Sequence, residues 1–277
     1  MSRKFLLGTL GAALFLGLAA CSDSTAPMNG GADAQADADI AATTADGVTE
    51  TVNLFAGNEG TLDDMTSVSP SISSTTSAVL WRFIDRCDYD SSLGRFVCPT
   101  AERGPLTIER SFGLADALGQ PMDHFDGVET ASANFLLTLT GDVRRDDWSA
   151  SIDRQQSVTL SGLAGEESAR EWNGTGNTTV HSVHEGDQAT RTYDASHSVA
   201  IEHVVVNLPR SENPWPASGT ITVTVSARQT IEGAADRLRQ FQRVVTVTFN
   251  GTQFVPLQVG SRQFTLDLAT GEVTPAA

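Results

Sequence analysis

Apolar and hydroxyl-bearing residues alternate one for one through Ile221-Thr-Val223-Thr-Val225-Ser-Ala227. Successive side chains of a strand point to opposite faces, so this pattern predicts a half-buried strand with a Thr/Ser outer face. It recurs in Val245-Thr-Val247-Thr-Phe249, which runs into Asn250-Gly251, the strongest short hairpin signal. The chain is expected to return as residues 253–259, turn at Gly260-Ser261 and leave as Phe264-Thr-Leu266-Asp-Leu268. A further turn is expected at Thr270-Gly271. Residues 219–274 therefore read as an antiparallel meander.

The same period runs upstream. Leu106, Ile108, Phe112 and Leu114 share one parity, as do Phe135, Leu137 and Leu139. Trp148, Ala150 and Ile152 follow, then Val158 and Leu160. Strands are expected near 168–184 and 189–208, joined by Glu185-Gly186-Asp187. The best helical candidate after the leader, Ile231 to Arg243, reads better as a hairpin through residues 232–236. About ten strands without crossover helices predict one all-β, mainly antiparallel domain over 77–277, built as a sandwich, a barrel or a curved half-barrel. A membrane-spanning barrel fits poorly, because aromatics are 6% of the chain, too few for two interfacial girdles.

The first 76 residues have a different texture. Met1-Ser-Arg3-Lys4 is followed by an apolar run shorter than a membrane span and ending in small residues, which predicts a secretory leader over 1–20. Leu18-Ala19-Ala20-Cys21 resembles the lipobox of bacterial lipoprotein precursors at all four positions. The resemblance covers about the first 25 residues. It implies cleavage before Cys21, a diacylglycerol thioether on its sulfur and an acylated new N-terminus. Two or more chains anchor a protein where one binds only marginally. In that family an Asp directly after the lipidated Cys retains the protein in the inner membrane. Ser22 stands here, which implies the outer membrane. Residues 21–76 then read as an acidic flexible tether: nine acidic side chains, no basic one, and mostly Ala, Asp, Ser, Thr and Gly. As a coil its 55 residues after Cys21 would span roughly 40 Å.

Charge narrows the partners. Loss of residues 1–20 removes Arg3 and Lys4, leaving 16 basic and 34 acidic side chains, a formal −18. Such a chain is repelled by phosphates, so nucleic acid is excluded as a partner and a lipid, not a basic patch, must do the anchoring. No Lys remains.

With Cys21 consumed by lipid and the compartment oxidising, Cys87 and Cys98 form an even pair. Folding Cys87-Asp-Tyr-Asp-Ser-Ser-Leu-Gly-Arg-Phe-Val-Cys98 about Ser91–Gly94 sets 87 opposite 98 and Tyr89 opposite Phe96. Directly opposed residues lie within disulfide reach, and such a closure contributes about 3 kcal/mol in the loop-entropy model. A redox motif would want a shorter spacing and zinc would want further ligands nearby. A calcium loop would want Gly where Leu93 stands and an acid where Pro99 stands.

No catalytic signature and no metal or cofactor motif appears in the sequence. The candidate binding residues are His124 between Asp123 and Asp126, and Trp215 held between Pro214 and Pro216. A carboxylate-oriented imidazole can act as base or ligand. His181 and His184 fall on opposite strand faces, whereas His197 and His203, six apart, share one. Asn173, Asn177 and Asn250, each followed by x-Thr, read as turn chemistry. The expected function is a lipid-anchored envelope protein with a non-catalytic binding or structural β domain. It would meet the membrane through its lipid and engage an envelope partner or an apolar ligand. The alternatives are a half-barrel carrier of an apolar ligand or lipoprotein, and an envelope hydrolase or metal enzyme with scattered catalytic residues.

Overall fold

The structure, a computed structural model, describes Asp37, Ile40, Ala41, Thr44, Ala45 and Val48, then residues 87–145, 148–165, 167–185, 190–232 and 239–276. At some strand positions, His184 among them, only the backbone is described. Cys21 and the lipobox lie outside the described residues.

The described residues between 88 and 275 form fourteen strands in one meander. They are β1 (Asp88–Asp90), β2 (Arg95–Val97), β3 (Ala101–Arg103), β4 (Leu106–Ala115), β5 (Pro121–Met122), β6 (Ser132–Arg145) and β7 (Trp148–Ser161). There follow β8 (Ala169–Glu185), β9 (Thr190–Asn207), β10 (Ser218–Ile231), β11 (Arg239–Thr248), β12 (Phe254–Val259), β13 (Arg262–Asp267) and β14 (Val273–Pro275). They form a single sheet ordered β1-β2-β4-β6-β7-β8-β9-β10-β11-β12-β13-β14, with β3 and β5 also paired to β4. Every pairing is antiparallel. Short connections make sequential strands neighbours, and so the all-β antiparallel expectation holds.

Alternation decides what each strand buries. Along β12 the pattern is strictly exposed then buried, with Val255, Leu257 and Val259 all at 0% exposure. One register row carries Phe96, Phe112, Phe135, Val158, Gly174, Ile201, Ile221, Val247, Leu257 and Phe264 from β2 to β13. Phe96 and Phe112 stack at 4.6 Å between ring centroids. These side chains belong to one continuous core. A flat sheet would leave this face in water, so the sheet curls round it. It does not close: β1 and β14 stand at the two ends of the strand order. Of the three expected architectures, the single open sheet excludes the two-sheet sandwich and the closed barrel.

The predicted tether contributes to this core. Asp37, Ile40, Ala41, Thr44, Ala45 and Val48 are helical and buried. Their spacing of three and four residues puts them on one helix face. Asp37 bridges the sheet: its carboxylate accepts from Arg243 Nε at 2.6 Å and from Arg262 Nε at 3.0 Å, joining β11 to β13. At these six positions the expectation of a free tether over 21–76 is corrected. Alanines too weakly apolar to signal a core suffice once a strongly apolar sheet face is there to receive them.

Two local features set the register of β9. Pairing slips between Trp172 and Gly174 and again between Ser218 and Thr220. At this bulge His203 has φ 49°, and its N–H donates to Asn173 Oδ1 at 2.8 Å. Gly219 answers it: a Cβ there would stand 2.3 Å from the His203 carbonyl oxygen, so only glycine permits the approach. Asn173 is thus a bulge residue and Asn177 a strand residue of β8, not turn residues as expected. Asn250 does serve a turn, with Oδ1 accepting from Thr252 N at 3.0 Å. That connection spans residues 249–253, longer than the two-residue hairpin that Asn-Gly suggests.

The cysteines pair as expected. Cys87 and Cys98 are bonded, with Cα atoms 4.0 Å apart. Tyr89 lies opposite Phe96, with ring centroids at 5.1 Å. Asp90 Oδ1 takes the Ser92 N–H at 2.8 Å and the Ser92 hydroxyl at 2.6 Å, spending that carboxylate on the turn. Replacing both cysteines by Ser is expected to lower folding stability by roughly 2–3 kcal/mol. Urea titration checks it. A loss under about 0.5 kcal/mol would show that β1–β2 frays from the sheet before global unfolding.

Candidate functional site

Two register rows on the outer face of β7–β11 border a shallow, open concavity of about 390 Å³. In the first row Ser151 of β7 faces His181 of β8, which faces Asp194 of β9, then Arg228 of β10 and Gln240 of β11. In the second, Asp153 faces Thr179, Ser196 and Ser226 in turn. All nine side chains line the concavity. Strict alternation puts them there. On β8, Thr178, Val180 and Ser182 are buried while Thr179 and His181 are exposed. On β9, His197 points to the core while Asp194 and Ser196 point out.

The geometry around His181 is defined. Its Nδ1 lies 2.6 Å from Asp194 Oδ1, and both side chains are more than half exposed. This contact fixes the ring and leaves Nε2 as its remaining polar atom. Among the described residues no hydrogen bond joins Ser151 to His181. The row therefore has a base held by an acid, but not the nucleophile–base bond that serine catalysis uses.

The sequence-derived candidates fall elsewhere. His124 Nδ1 lies 2.7 Å from Asp123 Oδ1 in an exposed loop, away from the concavity. The hydrogen bond to Asp123 raises the His124 pKa, and the same bond lowers that of Asp123. Asp126 is a turn residue: its carboxylate accepts from Val128 N at 2.7 Å and Glu129 N at 2.9 Å. Those backbone donors, Glu129 first, hold its pKa below the usual value. Trp215 is half-buried and packs against the core, away from the concavity.

His197 and His203 do not share a face, contrary to expectation. His197 is 3% exposed, whereas His203 is solvent-exposed with Nδ1 2.6 Å from Glu171 Oε1. The bulge at His203 inserts the residue that breaks the two-residue period. Burial drives the His197 pKa down to about 4. No group of three or more His, Cys, Asp and Glu side chains that could hold a metal ion occurs among the described residues. No helix among them is long and apolar enough to cross a membrane.

Of the concavity's residues, only His181 stood out in the sequence. Ser151, Asp153, Thr179, Asp194, Ser196, Ser226, Arg228 and Gln240 come from five strands and follow no linear motif. The one signal for them was the hydroxyl half of the alternating pattern, which marks an outer face without saying which positions meet.

Fold and site together define an open, curled antiparallel β-sheet protein with a concavity on its outer face, where polar side chains alternate with Val180, Ala195 and Ala227. No protein-family model, curated protein or solved structure matches the chain.

Proposed function

We propose that this protein is a lipid-anchored component of the bacterial cell envelope, at the outer membrane, whose β domain is a non-catalytic binding module. The observation that carries the binding role is the concavity over β7–β11, where donors and acceptors from five strands converge without being consumed by the core. Binding sites are concave and hold a few convergent polar groups. The opposite, apolar face favours a carrier much less. Its side chains are packed against one another and against Ile40, Ala41, Ala45 and Val48. A hydrolase draws support from the order Ser151–His181–Asp194, but the missing Ser151–His181 bond weighs against it.

The anchor rests on Leu18-Ala19-Ala20-Cys21. Cys21→Ser is expected to move the protein from the membrane fraction to the soluble fraction of the envelope and to remove the lipid mass at residue 21. Unchanged membrane retention together with an unmodified residue 21 in the wild type would refute lipid anchoring. Non-catalytic binding is tested by Ser151→Ala: any hydrolytic activity on model esters that this variant abolishes would reinstate the enzyme reading.

A further inference from the structure

We infer that the concavity over β7–β11 is a subsite for an uncharged, hydroxyl-rich ligand, one or two sugar units of a glycan. This deepens the binding-module reading and rests on it.

Shape is the first argument. Thr179, Ser196 and Ser226 are short side chains in register on three adjacent strands. The neighbouring row carries His181, Arg228 and Gln240, all longer. A low floor beside a taller wall leaves the 390 Å³ space, roughly thirteen times the ~30 Å³ share of one liquid water. That is too large for a single ion and suits one or two pyranose rings.

Chemistry is the second. Each sugar hydroxyl both donates and accepts, so its site needs both functions interleaved. Asp153 and Asp194 only accept, Arg228 only donates, and the four hydroxyls of Ser151, Thr179, Ser196 and Ser226 do either. The Asp194 contact at 2.6 Å fixes the His181 ring and leaves Nε2 to a ligand. The rival chemistries fit worse. An anion such as phosphate would meet two carboxylates against one guanidinium. A divalent cation lacks a cluster of three ligands among the described residues. An apolar ligand would strip water from hydroxyls without replacing its hydrogen bonds. Among the described residues no Phe, Tyr or Trp lines the space, so ring stacking contributes nothing and binding of a single saccharide unit should be weak.

The test is an NMR titration of the isotopically labelled full chain carrying Cys21→Ser, with maltotriose, chitotriose, sulfate and magnesium as separate probes. Saturable shifts with either saccharide at Thr179, Ser196 and Ser226 are expected. Ser226→Phe, which fills the floor, and Asp194→Asn, which keeps the shape and removes a charged acceptor, should each weaken binding at least tenfold. Asp194→Asn keeps the test valid should Ser226→Phe misfold. No saccharide shift up to about 50 mM would overturn the assignment, as would shifts there from sulfate or magnesium alone. If an envelope partner is retained by wild type and lost on Asp194→Asn, while no saccharide binds, the binding-module reading stands and the sugar assignment falls. Absence of both effects removes both.

Discussion

Trp172→Ala is expected to lower folding stability by about 3–5 kcal/mol. Trp172 is among the largest fully buried side chains, set between Leu160 of β7 and Val204 of β9. It lies beside the bulge where β8 and β9 slip register. Truncation loses the transfer energy of the ring and leaves a cavity. The bulge geometry around Asn173, His203 and Gly219 gives the backbone little freedom to collapse into it. Trp172→Phe should lose less than half as much. Equilibrium urea unfolding checks both. A Trp172→Ala loss below about 1 kcal/mol would mean that the site collapses freely and that the core is not organised by this ring. His181 lies nine residues further along β8. A folded Trp172→Phe should therefore keep the concavity intact, separating a core effect from a binding effect.

Acidification is expected to destabilise the protein through His197. Burial drives its folded pKa to about 4, against an ordinary histidine value of 6.5. Above pH 6.5 the ring is neutral in both folded and unfolded chains, and its contribution is fully present. As pH falls below 6.5 the unfolded chain takes up the proton first. Stability then declines by about 1.4 kcal/mol per pH unit until the folded ring protonates near pH 4. The total is on the order of 3 kcal/mol. Carboxylates titrate over part of the same range, so the useful quantity is the difference between wild type and His197→Gln. That difference should change between pH 6.5 and 4 and be flat above 6.5. A flat difference throughout would show that water reaches the ring. His197 shares β9 with Asp194 and Ser196 on the opposite face. Because the folded ring stays neutral down to about pH 4, ligand binding by the folded protein should be insensitive to His197 above that pH.

Much of the architecture was legible because its signals are local. A strand announces itself by a two-residue period and a turn by Gly, Asn or Asp at one or two positions. The paired strands around residues 185–190 lie where the sequence put them, and so does the disulfide hairpin. The Asn250-Gly251 connection shows the limit of such signals. The turn is there, but Thr252 and Asn250 hold a longer loop closed by side-chain hydrogen bonds. The histidines show another limit. Counting by twos put His197 and His203 on one face, and a single bulge separated them.

Two features were illegible for a stronger reason. Helical packing by Ile40, Ala41, Ala45 and Val48 depends on an apolar sheet face assembled far along the chain; Asp37 of the same helix face meets Arg262, 225 residues later. In isolation, Ala-rich acidic sequence has too little apolar surface to offset its ordering entropy. The concavity depends on register across five strands, and register sums every turn length and bulge between Ser151 and Gln240. Single-residue slips would turn the row's members to the other face.

By itself, then, the sequence determined the all-β class, the antiparallel order, the Cys87–Cys98 pairing and the polar character of the outer face, while fourteen strands stand where about ten were expected. All of these follow from side-chain period and short-range chain geometry. Only the tertiary structure decided that Asp37 bridges Arg243 and Arg262, that His197 is buried, and that Asp194 orients His181 beside Ser151. Those contacts join residues far apart in the chain. Their energies exist only after the intervening strands have paired in one register, so no local pattern can encode them.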